Sequence, residues 1–318
     1  MIALVAGATR GAGRAIAVSL GELGATVYCT GRSVRGRPAT QGRPETIAET
    51  AEMVTACGGR GIALRVDHTV EAEVAALFAG LPPLDVLVND VWGGDELSQW
   101  FKPFWTMDLT PGLQMQQRAV HSHIITSRYG VPPMVARRSG LVIEITDGVG
   151  YGYRGELFYS LAKISTIHLA VAMAGDLAGT GVTALALTPG FLRSEAMLED
   201  FGVTEANWRD AIAQHPDFAA SETPYFIGRT VAALAADPQV GRHAGKSLST
   251  WDLAQEYGTV DTDGRQPNWG RFFTVWRAAL AEVRRLHGVS EGEAYDRIFQ
   301  GERSPELLAA VAEAQARG

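Results

Sequence analysis

Tyr159 and Lys163 stand four residues apart in Tyr159-Ser160-Leu161-Ala162-Lys163, a spacing that puts both side chains on one face of a helix. A phenol of pKa ~10 is a poor acid or base near neutrality, but an adjacent ammonium favours the phenolate and lowers that pKa. The chemistry open to such a pair is proton transfer to or from an oxygen. By itself the pattern is equally an ordinary amphipathic helix face. Lysine is scarce here: Lys102, Lys163 and Lys246 are the only ones in the sequence.

A second chemical signal lies at the N-terminus. The apolar run Ile2–Ala6 is followed at once by Gly7-Ala8-Thr9-Arg10-Gly11-Ala12-Gly13. At a strand-to-helix turn, glycines so spaced let the backbone and Thr9 approach a phosphate pair, while the helix N-terminus offers free N–H donors and the positive end of its dipole. This predicts a dinucleotide site. An enzyme that selects the cofactor without 2′-phosphate usually ends its second strand with an acid for the ribose hydroxyl; here that place reads Thr30-Gly31-Arg32-Ser33. Arg32 and Arg10 can clamp a 2′-phosphate instead, so NADP(H) is expected over NAD(H), with NAD(H) still usable. Asp67, ending the third strand, is placed either to accept from the adenine amino group or to cap a helix.

These residues require a particular scaffold. Short apolar runs, at Ile2–Ala6, Thr26–Thr30, Gly61–Val66, Val86–Val88, Leu141–Ile145, Val182–Leu187 and Ser247–Ser249, alternate with helical stretches at Arg14–Leu23, Glu45–Cys57, Val70–Phe78, within Leu113–Met134, Phe158–Leu177 and Thr223–Ala236. Continuous rather than alternating Val/Ile/Leu runs belong to strands buried on both faces, so the reading is a doubly wound α/β Rossmann-type fold with a parallel seven-stranded sheet. Two segments add to it. Val91–Gly112 carries Trp92, Trp100, Phe101, Phe104 and Trp105, suited to a pocket wall or lid. Beyond Tyr257 a turn-rich joint leads into helical Phe272–Leu286 and Pro305–Ala316. The expected organisation is therefore a dinucleotide-binding and catalytic domain over 1–257 and a helical C-terminal extension over 258–318.

Composition narrows the function further. The 318 residues are 46% hydrophobic and 20% charged, with a formal net charge of −7, which argues against a nucleic-acid partner. There is no tract of ~18 consecutive apolar positions, so no membrane span is expected. Cys29 and Cys57 are too few for a disulfide framework or a Cys-built zinc site, and Met1 precedes no signal-like core, so a cytoplasmic location is expected. His121 and His123 are two apart in a helical stretch, so their side chains diverge by about 200° and no metal site is expected.

With Tyr159 and Lys163 about 150 residues after the glycine turn, the sequence resembles the short-chain dehydrogenase/reductase family over roughly residues 1–257. Asn89-Asp90-Val91-Trp92-Gly93 stands where that family has Asn-Asn-Ala-Gly, and Pro189-Gly190-Phe191-Leu192-Arg193-Ser194 where it has Pro-Gly and then a threonine near the nicotinamide. The aromatic insert and long C-terminus look most like the subgroup typified by dehydrogenase/reductase member 1. The resemblance implies hydride transfer between NAD(P)(H) and a small carbonyl or alcohol substrate. Tyr159 would be the proton donor, and Lys163 would hold the ribose hydroxyls and depress the Tyr159 pKa. Gly7, Gly11 and Gly13 would face the pyrophosphate, Asn89 would support the adenine-side wall, and Pro189, Gly190 and Ser194 would lie by the nicotinamide. It also implies a homodimer or homotetramer built through the helices within Leu113–Met134 and Phe158–Leu177.

Two departures stand out. The family's substrate-binding serine is absent from Ile145-Thr146-Asp147-Gly148: strand register gives its place to Asp147, and counting back from Tyr159 gives it to Thr146. Thr146 is slightly preferred, because a hydroxyl can donate to a carbonyl oxygen without any pKa shift. The family's helix asparagine falls near Ala119, with Gln116 and Gln117 close by. These losses support a second reading, a weakly active or inactive cofactor-binding protein of the same fold.

Overall fold

The computed structural model describes residues 1–40 and 42–316. Its centre is a parallel sheet of seven strands, β1 (Ile2–Ala6), β2 (Thr26–Gly31), β3 (Arg60–Arg65), β4 (Val86–Asn89), β5 (Gly140–Ile145), β6 (Val182–Thr188) and β7 (Ser247–Ser249), in the order β3-β2-β1-β4-β5-β6-β7. Each apolar run expected to be a strand is one, shifted at its ends by a residue at most. β4 and β6 are buried along their whole length, as their unbroken apolar runs imply.

Helices cover both faces. The chain forms α1 (Gly11–Glu22), α2 (Ile47–Ala56), α3 (Glu71–Ala79), α4 (Leu109–Gln116), α5 (Ser122–Arg137), α6 (Leu157–Asp176), α7 (Glu195–Asp200), α8 (Pro224–Ala236), α9 (Thr250–Tyr257), α10 (Trp269–His287), α11 (Glu291–Phe299) and α12 (Pro305–Ala316). Ile16 and Leu20 of α1, Ile47 and Val54 of α2, and Ile227 and Val231 of α8 pack on one face of the sheet. Phe78 of α3, Met134 of α5 and Met173 of α6 pack on the other. α4 runs into α5 through a wide π turn, Gln117–His121.

Because strand order reverses between β1 and β4, the crossovers on either side leave a crevice beyond the carboxyl ends of the strands, where this topology binds ligands. Three more elements build up the rim of that crevice. The insert after β4 forms two single 3₁₀ turns, Asp95–Leu97 and Phe104–Thr106. A β6-side loop and α7 approach from the second edge. The C-terminal helices form their own apolar cluster around Phe272, Trp276, Leu280, Ile298 and Leu307.

α6 qualifies the expectation about membranes. Over its 20 residues it reaches a hydropathy of 1.4, enough in length and composition to cross a bilayer. Here it lies along the sheet instead, burying Phe158, Ala162, Ile167 and Ala170 and carrying Tyr159 and Lys163 to the crevice.

Candidate active site

The crevice is a cleft of about 1200 Å³ that runs from the glycine turn to the C-terminal helices. At its first end β1 stops at Ala6 and the chain turns through Gly7, whose φ of 94° is one that side chains rarely adopt; a Cβ there would also strike the Asp90 carbonyl. Gly13, one turn into α1, lies against the Gly7 carbonyl, so it packs the turn from within, while Gly7, Thr9, Arg10 and Gly11 line the cleft.

The α1 N-terminus has no side-chain cap of its own. Its Gly11 N–H donates instead to Glu195 Oε2 at 2.8 Å, from the first turn of α7. A carboxylate thus sits on the donors where a phosphate pair would bind, which is the chemistry expected of an anion site. Sequence reasoning missed Glu195, since nothing local relates it to a glycine turn 184 residues earlier.

Arg10 and Arg32 both line this end with Ser33 and Thr40, and Arg10 donates to Thr40 Oγ1 at 3.2 Å. Asp67 lies on the same wall, its Oδ2 3.8 Å from Arg32 and its Oδ1 accepting from Thr69 N and Oγ1. Burial opposes its ionisation, but the Thr69 bonds and the Arg32 charge win and hold its carboxyl below the usual range. Asp67 therefore caps the turn into α3 and faces the cleft at once, combining the two expected roles.

Asn89 is not in the wall. It is fully buried and donates to Ser127 Oγ at 2.9 Å and Glu144 Oε1 at 2.6 Å, because parallel register places it beside Glu144 on β5. It holds the wall from behind. Its neighbour Asp90 reaches the cleft: it is pressed against Gly13, and burial pushes its carboxyl up to about 7 despite the opposing charges of Lys163 and His123. The signal for Asp90 was present in the sequence as an acid in place of the family's second asparagine. His121 is exposed, whereas His123 is buried, its Nδ1 2.6 Å from Glu144 and its Nε2 3.0 Å from the Val91 carbonyl.

At the centre of the cleft α6 presents Tyr159 and Lys163 from one face. Glu156 caps the helix, accepting from Phe158 N and Tyr159 N, and so fixes the turn that carries the phenol. The Lys163 ammonium lies 3.9 Å from the Trp92 ring centroid and 5.5 Å from that of Tyr159, with Trp92 and Trp100 edging the phenol at 5.4 and 4.8 Å. Burial lowers the Lys163 pKa, against the pull of Asp147, Asp90 and Asp95.

The strand end reverses the slight preference for Thr146. Thr146 is 3% exposed and its hydroxyl donates to the Lys163 carbonyl at 2.7 Å, which ties β5 to α6 and leaves no proton for a substrate. Asp147 takes the serine's place: its Oδ2 accepts from the Tyr159 hydroxyl at 3.1 Å, and its side chain is 45% exposed to the cleft. Burial, and then Asp147, raise the Tyr159 pKa well above its ordinary value. Arg154 stitches the following loop by donating to the carbonyls of Asp147, Gly150 and Gly152, and its Nε lies 3.6 Å from Asp147 Oδ2. No amide replaces the helix asparagine: Ala119 is buried in the π turn, Gln116 donates to the Phe158 carbonyl and Gln117 is exposed.

The loop after β6 also lies on the cleft, through Pro189, Gly190 and Ser194, the last capping α7. Gly190 N donates to Glu222 Oε2 at 3.0 Å. The far wall is aromatic: Trp100 and Phe101 of the insert face Trp269, Phe273, Trp276 and Tyr295 of the C-terminal helices, with Phe101 and Tyr295 5.5 Å apart. Phe104 and Trp105 stay outside the cleft, 63% and 74% exposed.

A doubly wound sheet with a glycine turn at its switch point and a Tyr/Lys pair on the helix after β5 defines an NAD(P)-dependent oxidoreductase acting between alcohol and carbonyl. Residues 1–202 match the short chain dehydrogenase family. Dehydrogenase/reductase SDR family member 1 of Mus musculus is 33% identical over 273 residues, 83% of this chain and 84% of that protein. A 3-oxoacyl-[acyl-carrier-protein] reductase FabG of Vibrio harveyi is 31% identical over 203 residues, 61% of this chain and 74% of the relative. Among solved structures, a short chain dehydrogenase of Mycobacterium thermoresistibile superposes with a TM-score of 0.69 at 20% identity, covering 85% of this chain and 91% of the other. The chain belongs to the short-chain dehydrogenase/reductase family.

Proposed function

We propose that the protein is an NADP(H)-dependent reductase of small carbonyl compounds, or dehydrogenase of the corresponding alcohols, with Tyr159 as its proton donor. The observation that carries this reading is the Tyr159 hydroxyl, held with Lys163 on one face of α6 and opening on a cleft that is continuous with the glycine turn. The residues at the cofactor end fit a dinucleotide: close-approach backbone at Gly7, free helix N–H groups at present meeting a carboxylate, and two arginines with Ser33 and Thr40 where a 2′-phosphate would lie. When bound, the nicotinamide supplies or takes up the hydride.

The chain's own residues handle the proton. Tyr159 Oη gives its proton to the oxygen of the carbonyl being reduced, and the Lys163 ammonium offsets the charge of the phenolate left behind. Trp92, Trp100 and Phe101 keep water from the reacting carbon and offer an apolar surface to the substrate. The missing serine and asparagine favour slow turnover rather than none, since the donor and the ammonium are both in place.

NADPH and NADH titrated against intrinsic tryptophan fluorescence test the cofactor preference. NADPH should bind tighter by on the order of tenfold, about 1.4 kcal/mol, and Arg32→Ala should erase most of the difference. Equal affinities in the unaltered protein would refute it. The apolar outer faces of α4, α5 and α6, with Leu109, Leu113, Ile124 and Leu161 exposed, favour assembly with further copies of the chain.

A further inference from the structure

We propose that the substrate is a vicinal amino ketone, or the matching 1,2-amino alcohol, whose ammonium group is held by Asp147 while its oxygen meets Tyr159. The inference rests on the reductase reading and names its substrate class.

The argument begins with a carboxylate in the wrong place. Asp147 Oδ2 lies 3.1 Å from the Tyr159 hydroxyl oxygen, so any oxygen that receives the Tyr159 proton stands beside a carboxylate. As hydride reaches the carbonyl carbon that oxygen gains negative charge, and an ionised carboxylate next to it raises the barrier. Arg154 offsets this charge only in part. Its Nε stands 3.6 Å from Asp147 Oδ2, beyond hydrogen-bond distance, and its Nε, Nη1 and Nη2 each donate to a backbone carbonyl, of Asp147, Gly152 and Gly150. A substrate that brings its own cation removes the penalty. The ammonium of a vicinal amino ketone sits one carbon from the carbonyl, so its nitrogen and oxygen are spaced to meet two protein oxygens that are themselves neighbours.

Charge along the cleft points the same way. At the cofactor end Arg10, Arg32 and Arg118 outnumber Asp67 and Asp90, whereas the substrate half carries Asp95, Asp147, Asp217 and Glu291 against Arg154, Arg277 and Lys163. Asp95 acts on both Tyr159 and Lys163. Asp217, half-buried on the short turn Pro216–Ala220, lines the cleft with an Oδ1 that has no hydrogen-bond partner. A carboxylate oxygen shielded from water without a partner is costly unless a donor or a cation reaches it. Trp100 and Tyr295 line the same cleft with aromatic rings, surfaces that attract an ammonium and accept an apolar body.

Binding also repairs the proton donor. Burial and Asp147 together raise the Tyr159 pKa, and an ammonium on Asp147 withdraws the second of these causes. Tyr159 is then a better acid only when the proper substrate is present. A neutral ketone leaves Asp147 uncompensated and is reduced slowly.

The test uses the full chain with NADPH and three aryl ketones of one skeleton, bearing an α-amino group, an α-hydroxyl group or neither. The unaltered protein should favour the amino ketone in kcat/KM by on the order of a hundredfold over the plain ketone. Asp147→Asn should abolish that preference. Asp147→Ser, which restores the family's usual residue, should speed reduction of the plain ketone and slow that of the amino ketone. In parallel, binding of the amino alcohol and of its deamino analogue to the NADP⁺ complex is measured by calorimetry. Reduction of all three ketones at similar rates, unchanged by Asp147→Asn, would overturn the inference and leave the reductase reading intact. Selective binding of the amino alcohol with no turnover of any ketone would keep the ammonium contact at Asp147 but sink the reductase reading, and with it the assignment of a substrate. Neither turnover nor selective binding would sink both.

Discussion

At the scale of single residues the protein turns on Thr146 and Asp147, which the sequence leaves nearly equivalent as replacements for the family's serine. Thr146 spends its proton on a backbone carbonyl, whereas the Tyr159 hydroxyl donates to Asp147 at the cleft. Replacing Tyr159→Phe preserves the ring between Trp92 and Trp100 but removes the donor, so NADPH affinity should stay unchanged while turnover falls by ~10² or more. Single-turnover and binding measurements on the one variant separate these two effects; retained turnover would mean another acid. A second residue, Glu222, affects stability rather than chemistry. It is wholly buried, accepts from Gly190 N and Thr250 Oγ1, and leaves Oε1 without a partner, and burial pushes its carboxyl up to about 8. With the folded pKa above the unfolded value of about 4.3, its contribution is fully present below that value and is lost as pH rises through about 8. Glu222→Gln keeps an acceptor for Gly190 without the charge. Its melting temperature should match the unaltered protein at pH 5 and exceed it at pH 8. A gap that does not change between these pH values would show that Glu222 is ionised in the native state throughout.

At the scale of elements, α7 meets α1 across the cofactor end of the cleft. Glu195 from α7 occupies the α1 donors through Gly11 N and stands 3.7 Å from Arg14. A pyrophosphate brings two negative charges to the same donors, so it competes with this carboxylate, and α7 must yield when it binds. Glu195→Ala should strengthen NADPH binding by about 1 kcal/mol, roughly fivefold, at some cost in the order of α7. Calorimetry gives the affinity, and a weaker or equal affinity would mean that Glu195 does not stand in the phosphate's way. The C-terminal helices are a second such case. α10 buries Phe272, Trp276, Leu280 and Val283 on one side and turns Phe273 and Arg277 toward the cleft. One helix both closes its own core and forms a wall of the site. Trp276→Ala should cost about 3–5 kcal/mol of stability, seen as a lower denaturant midpoint.

For the whole molecule the open question is how its exposed apolar surface is covered. α6 is apolar enough to suggest a membrane helix, yet one side of it is in the core and the other presents Leu161 and Val171 beside Leu109 and Leu113 of α4. A second copy covering that face explains such a helix in a protein whose sheet is already complete. Light scattering after size exclusion should give a dimer or tetramer mass, and Leu161→Glu with Leu113→Glu should reduce it without loss of helical signal. A monomeric unaltered protein would show that this face is left to solvent or to another partner.

The sequence by itself determined the elements and their order. Strands buried on both faces must be continuously apolar, and helices on a sheet must repeat every three to four residues, so β1 to β7 and the main helices are written in local patterns. It also placed the glycine turn, Arg32 and the Tyr159/Lys163 pair, because each depends on spacing within one element or across one turn. The short α7 was not legible, since a helix of 6 residues carries too little periodicity, nor was α11, whose largely polar 9 residues bury only Ala294 and Ile298. Only the tertiary structure decided what depends on contacts between distant segments: that Asn89 faces Glu144 and not the cleft, that Glu195 reaches Gly11, that Glu222 supports Gly190, and that Asp147 rather than Thr146 meets Tyr159. The last of these turns on which way a strand end faces, and a shift of one residue exchanges the two sides of a strand. Counting along the chain cannot fix that register; the packing of β5 against β4, β6 and α6 does.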